Sequence, residues 1–188
     1  YGSLFHASIS HFFELLEKRH LNWREITDTQ RNQLVEESVA KAMEEYQTTV
    51  FDSSARNKSM AGRIRRMTDR TLWALGCQWE HGAYEKTWHE LDFGRAGGNG
   101  VTLPVEEGLE LSLRGRIDRV DFAEEDGSLY VKVIDYKSGS TKLDLGKVYY
   151  GLQLQLVLYL EAAMAMAAKR NPNRKLIPAG IYYYNMKD

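Results

Sequence analysis

The dipeptide Asp126-Gly127, set between two runs of alternating apolar residues, constrains this chain more than any other feature. Asp-Gly suits a two-residue type I′ turn, in which both central residues need positive φ. Such a turn makes Glu125 face Ser128, and counting back along both strands fixes the other pairs. Phe122 then faces Val131, Asp121 faces Lys132, Val120 faces Val133, and Asp118 stands opposite Asp135. Lys137 lies two residues after Asp135 and shares its face. The expected result is two carboxylates roughly 5 Å apart on one sheet face, with a lysine beside them. That face also carries Val120, Phe122, Val131 and Val133, so the acids close an apolar surface and need a partner. A divalent cation would offset their repulsion, and oxygen ligands favour Mg²⁺ or Mn²⁺. The bland alternative is a charged surface hairpin, and Asp121 opposite Lys132 on the other face reads as decoration of that kind.

The rest of the chain supplies a setting for this hairpin. Its first half reads helical. Phe5, Ile9, Phe12 and Leu16 mark one helical face from about Ser3 to Arg19. A second helix is expected from Thr27, where Gln30 completes a capping box, with Val35, Val39, Met43 and Tyr46 as its apolar stripe. A third runs from about Met60, with Ile64, Met67, Thr71 and Ala74 in step and interruptions at Gly76 and Gly82. Lys86–Phe93 reads as a strand, Gly94–Gly100 as a flexible loop, and Leu109–Phe122 with Leu129–Lys137 as the hairpin. Leu145–Lys169 is apolar almost all round and reads as one buried helix, ended by Asn171-Pro172, and Ala179–Tyr184 as a last strand. Helices followed by β-β-β-α-β predict an α/β fold: a mixed β-sheet core (86–188) behind a mainly helical part (1–85), in one domain.

Bulk properties exclude little. A length of 188 residues, 43% hydrophobic and 27% charged, is that of an ordinary globular domain. A formal net charge of -1 means that a nucleic-acid partner must be sought in local patches. Arg56 to Arg70 is one such stretch, and it reads equally as a phosphate-contacting helix or a solvated face. The lone Cys77 rules out a disulfide framework within the chain. No apolar run reaches membrane-spanning length, and no P-loop or paired-histidine zinc motif occurs. Beginning at Tyr1 and ending in an apparent strand, the chain reads as part of a larger protein.

Four ordered motifs carry a resemblance. Gly2-Ser3-Leu4-Phe5-His6, Gly115–Asp121, Asp135-Tyr136-Lys137, and Gln155 followed by Tyr159 resemble the signature of the PD-(D/E)XK nuclease superfamily in its RecB-like branch. The text Val148-Tyr149-Tyr150-Gly151-Leu152 before Gln155 is similar to the B subunits of AddAB-type ATP-dependent helicase–deoxyribonucleases. The resemblance implies a Mg²⁺- or Mn²⁺-dependent DNA exonuclease with a restriction-endonuclease-like core. It casts His6, Asp118, Asp135 and the Tyr136 carbonyl as metal ligands, Lys137 as the residue that positions the attacking water, and Gln155 with Tyr159 as orienting residues. On pattern alone, an inward histidine such as His6 is more often a satisfied core residue. Gln153 competes for the glutamine role, but its i+4 partner is Val157, whereas Gln155 has Tyr159 on its face.

Also implied are a single DNA strand at the site, a helicase partner of the A type, bacterial cytoplasm, no membrane, and resection of double-strand DNA ends. B subunits of this type carry a 4Fe-4S cluster on cysteines that flank the core. Cys77 lies in no such motif, so a cluster is expected only in a full-length protein. Two other readings stay open: an inactive DNA-binding or scaffolding module with the nuclease fold, and a free-standing RecB-like exonuclease.

Overall fold

The computed structural model describes residues 2–47, 55–84, 86–94, 101–106, 108–137 and 139–186. They form two compact units. One comprises residues 1–82, 137–140 and 185–188, and the other 83–136 and 141–184.

The first unit holds three helices, α1 (Gly2–Lys18), α2 (Asp28–Gln47) and α3 (Ala55–Glu80). Phe5, Ile9, Phe12 and Leu16 are buried along α1, as their spacing requires. Each such side chain contributes about 1.5–3 kcal/mol by leaving water. The Thr27 capping box forms in full: Gln30 N–H donates to Thr27 Oγ1 at 3.2 Å, and Thr27 N–H donates to Gln30 Oε1 at 2.9 Å. Val35, Val39 and Met43 are buried, whereas Tyr46 is exposed. α3 runs unbroken through Gly76, in place of the expected interruption. A Cβ there would meet the Trp23 indole only at an ordinary contact distance, 3.8 Å, so the position accepts a side chain and glycine does not end the helix.

The second unit is built on a four-stranded sheet of order β1-β4-β5-β6, with β1 Lys86–Phe93, β4 Gly115–Glu125, β5 Ser128–Lys137 and β6 Lys175–Asn185. A separate two-stranded sheet pairs β2 (Val101–Glu106) with β3 (Leu109–Leu113). The long first hairpin strand expected over Leu109–Phe122 is therefore two strands that part at Arg114. Strand β2 adds to the expected elements. Most of the loop expected at Gly94–Gly100 (95–100) lies outside the described residues.

The turn is as expected. Asp126 and Gly127 both have positive φ, 48° and 74°. The β4–β5 register is also the counted one, with Glu125↔Ser128, Phe122↔Val131, Asp121↔Lys132 and Val120↔Val133. Val120, Phe122, Val131 and Val133 pack with Phe93, Ile117 and Leu129 against Leu156, Ala162, Ala163 and Met166.

The crossover from β5 to β6 departs from the single buried helix expected over Leu145–Lys169. It is a short helix α4 (Leu145–Tyr149), a turn, and α5 (Gln155–Arg170). Gly151 has φ 74°, Gly151 N–H donates to the Val148 carbonyl at 3.0 Å, and Leu152 N–H donates to the Lys147 carbonyl at 2.8 Å. This is the Schellman ending of a helix, which needs a residue that tolerates left-handed backbone. The apolar side chains of α4 and the turn lie on the surface, with Tyr149 84% exposed and Leu152 77%. β6 starts before the expected Ala179 and includes Pro178, which an edge strand tolerates. Met186 N–H donates to the Lys137 carbonyl at 2.8 Å, so β5 and β6 finish together and run parallel.

Candidate active site

Asp118 sits where the sheet pairing fails on both sides. On the β5 side the paired positions end at Arg119↔Ile134, one step short of Asp118 and Asp135. On the β1 side they pass from His89↔Arg119 to Leu91↔Ile117, skipping Glu90 and Asp118. Glu90 has φ 47°, an uncommon value for a non-glycine residue inside a strand, and one that costs of order 1–3 kcal/mol. Tyr136 N–H donates to Asp118 Oδ2 at 2.7 Å.

Glu90 and Asp118 bring two carboxylates together in this sheet, and Asp135 lies one step past the last β4–β5 pair. Asp118 is 8% exposed and Asp135 3% exposed. A carboxylate oxygen of Glu90 lies within 4.8 Å of one of Asp118. Buried acids this close are costly unless a cation stands among them. Oxygen ligands of one Mg²⁺ lie about 3–4 Å from one another, so a small rotation of either side chain suits the pair to such an ion. Carboxylate oxygens are the donors that a hard cation such as Mg²⁺ or Mn²⁺ takes. Glu90 is the acid that sequence reasoning missed. The signal was its place opposite Asp118 when β1 is paired with β4, which the motifs alone do not reveal.

The other candidates lie as follows. Lys137 is the last residue of β5, half-buried, and strand alternation gives it the face of Asp135. Tyr136 is buried, with its ring edge-on to Tyr184 at 5.8 Å. Burial pushes its phenol up to about 12, against the pull of the Arg119 charge, so it is neutral at working pH. His6 belongs to the helical unit, half-buried on α1 and edge-on to Phe5 at 6.0 Å. Gln155 opens α5, and its Nε2 donates to the Tyr159 hydroxyl at 3.0 Å. Gln153 serves another end: its amide binds the Lys142 carbonyl at 3.0 Å, and its Oε1 accepts from Asp144 N–H at 2.9 Å. That tie fixes the loop ahead of α4.

Gly115, the first residue of its motif, has a steric reason. A Cβ there would stand 2.8 Å from Phe93 Cζ and 3.6 Å from Tyr159 Cε1. The Phe93 ring fills that space and meets Tyr159 edge-on at 5.9 Å.

Behind the acids, the opposite face is not the surface decoration expected of Asp121 and Lys132. Asp121 is fully buried and binds Arg119 through two contacts, Nε to Oδ1 at 2.6 Å and Nη2 to Oδ2 at 2.9 Å. Lys132 Nζ lies 3.0 Å from its Oδ2, and Thr87 Oγ1 donates to its Oδ1 at 3.0 Å. Burial pushes the Arg119 charge down, but Tyr136 and Asp121 more than restore it. His89, opposite Arg119 in the ladder, is held well below the usual histidine value by burial and by the Arg119 charge. Alternation in a strand buried on both faces explains the error: polar residues on the second face must pair among themselves.

The fold is that of a nuclease class, and the family model of the PD-(D/E)XK nuclease superfamily matches residues 1–188. The chain belongs to that superfamily. It is 43% identical over 187 residues to the B subunit of the ATP-dependent helicase/deoxyribonuclease of Lachnoclostridium phytofermentans, covering 100% of this chain and 15% of that protein. The subunits of the same name from Caldanaerobacter subterraneus and Alkaliphilus oremlandii are 35% and 33% identical, each over 100% of this chain and 16% of the relative. The chain thus spans about a sixth of the length of these relatives. Among the described residues, no helix is long and apolar enough to cross a membrane.

Proposed function

We propose that this chain is a Mg²⁺- or Mn²⁺-dependent deoxyribonuclease domain that hydrolyses single-stranded DNA as an exonuclease. The observation that carries the reading is the approach of the Glu90 and Asp118 carboxylates within 4.8 Å, with Asp135 buried one step past the last β4–β5 pair, inside a nuclease-family chain. Asp118, Asp135 and Glu90 would hold the cation, with the Tyr136 carbonyl as a further ligand. Such a cation, when bound, supplies Lewis acidity that acidifies water and offsets charge on the phosphoryl group. The Tyr136 N–H bond to Asp118 Oδ2 fixes that carboxylate against β5. Lys137 would orient the attacking water and place a compact positive charge beside the phosphate. The hydrogen-bonded Gln155–Tyr159 pair, backed by Phe93, presents a fixed polar edge for orienting Lys137 or the DNA backbone.

The relatives' name supports a B-type subunit of a helicase/deoxyribonuclease; the resemblance to the family extends this reading to an A-type helicase partner in the bacterial cytoplasm and to the processing of double-strand DNA ends. A 4Fe-4S cluster belongs, in this reading, to a longer polypeptide. Thermal melting with titrated Mn²⁺ tests the metal centre. A ligand that prefers the native state raises Tm, so wild type should melt higher in millimolar Mn²⁺ and Asp135→Ala should lose most of the shift. Equal melting with and without Mn²⁺ would favour the inactive DNA-binding module.

A further inference from the structure

We propose that Arg116 contacts a phosphate of the bound DNA strand at the exposed edge of the acidic cluster. The inference rests on the nuclease reading and adds a substrate contact to it. Arg116 is the ladder partner of Asp92 and, by alternation, shares the face of Asp118 on β4. Its Nε donates to Asp92 Oδ1 at 3.1 Å, and its Nη1 lies 3.4 Å from Glu90 Oε2. Glu90 is the acid whose carboxylate approaches that of Asp118 within 4.8 Å. The guanidinium therefore stands one carboxylate away from Asp118.

Three properties fit it to a phosphodiester. Its side chain is 48% exposed, so a strand in solvent can reach it, while Glu90 beneath it is only 11% exposed. The Nη1 contact is long for a charge-assisted bond, so it gives way easily, and Nη2 takes part in neither contact. A guanidinium is charged at every working pH and matches phosphate oxygens with a fork of donors. The acids need it: Glu90, Asp92, Asp118 and Asp135 by themselves would repel a phosphodiester. Arg116 offsets that repulsion on the side open to solvent.

The test is binding of a fluorescein-labelled single-stranded oligonucleotide to this chain, by anisotropy across a salt series. Ca²⁺ replaces Mg²⁺, and a gel verifies that the strand stays intact. Arg116→Gln, nearly isosteric and at an exposed ion pair, should melt within a few degrees of wild type. It should bind about tenfold more weakly, and the slope of log K against log salt should fall by about 0.7, the value of one single-strand phosphate. Arg116→Lys should recover the slope but only part of the affinity, because it lacks the fork. Unchanged affinity and slope in Arg116→Gln overturn the proposal, as does weaker binding with the slope unchanged. Failure of the parent reading looks different. A wild type that binds DNA with an Arg116-dependent slope but cuts nothing in Mn²⁺ keeps Arg116 and sinks the nuclease. A wild type that does not bind the oligonucleotide sinks both.

Discussion

Removing the Asp121 carboxylate should cost this fold heavily. Asp121 is fully buried and receives Arg119 twice, at 2.6 and 2.9 Å, with Lys132 at 3.0 Å and the Thr87 hydroxyl at 3.0 Å. Arg119 is itself 3% exposed. In Asp121→Ala the guanidinium stays buried beside the Lys132 ammonium with no carboxylate between them. Breaking a buried pair by removing one partner costs about 3–5 kcal/mol, against a total stability of about 5–15 kcal/mol for a domain. At this chain length each kcal/mol lowers Tm by about 2–4 °C, so the expected fall is about 6–20 °C. The assay is thermal melting followed by far-UV circular dichroism, with urea denaturation as a second route to the same free energy. Two further variants isolate the cause. Asp121→Asn keeps the acceptor and the volume but not the charge, and should lie between wild type and alanine. Asp121→Leu combined with Arg119→Met and Lys132→Met removes the orphaned cations, and should recover most of the loss. Melting of Asp121→Ala within about 2 °C of wild type would refute the reasoning. So would a triple variant less stable than the single one.

Further outcomes follow from the same geometry. Gly115→Ala should lower stability by about 1–3 kcal/mol through overpacking against the Phe93 ring; Phe93→Leu should relieve it, and a Gly115→Ala Tm equal to wild type would contradict the steric account. His89 is held well below the usual histidine value by burial first and the Arg119 charge second, so the unfolded chain binds the extra proton. Stability should therefore be full above about pH 6.5 and fall as pH drops below it, by up to about 1.4 kcal/mol per pH unit; His89→Gln should flatten that dependence in urea melts at pH 5 to 7. Asp118→Ala leaves the Tyr136 N–H without its acceptor, at a cost of about 1–3 kcal/mol. It should thus melt lower than wild type in the absence of metal, even though a like charge has been removed.

The hairpin was legible because its determinants are local. Asp126-Gly127 sets the turn, and alternation sets the register from Glu125↔Ser128 to Val120↔Val133. Thr27 and Gln30 gave the start of α2 for the same reason. Errors arose where a decisive partner lies far along the chain. Glu90 meets Asp118 only because β1 pairs with β4 and both ladders open at that point, and nothing near Glu90 in the sequence says so. Asp121 and Lys132 read as surface charges because their burial depends on what covers the second face of the sheet. The crossover was misread because Leu145, Tyr149, Tyr150 and Leu152 are apolar yet exposed, and hydrophobicity alone could not place the Gly151 cap between two helices.

The central claim is that Glu90, Asp118 and Asp135 hold a divalent cation for DNA cleavage with Lys137 beside them. Its most direct test is cleavage of an end-labelled single-stranded oligonucleotide by this chain. Reactions would contain Mn²⁺, Mg²⁺ or excess chelator, with Asp135→Ala and Lys137→Ala alongside. The account predicts shortening of the strand in Mn²⁺ or Mg²⁺ and none in chelator. Asp135→Ala should lose both cleavage and the Mn²⁺-dependent rise in Tm, whereas Lys137→Ala should lose cleavage and keep the rise. Cleavage that persists in chelator, or that survives in Asp135→Ala at the wild-type rate, would contradict it.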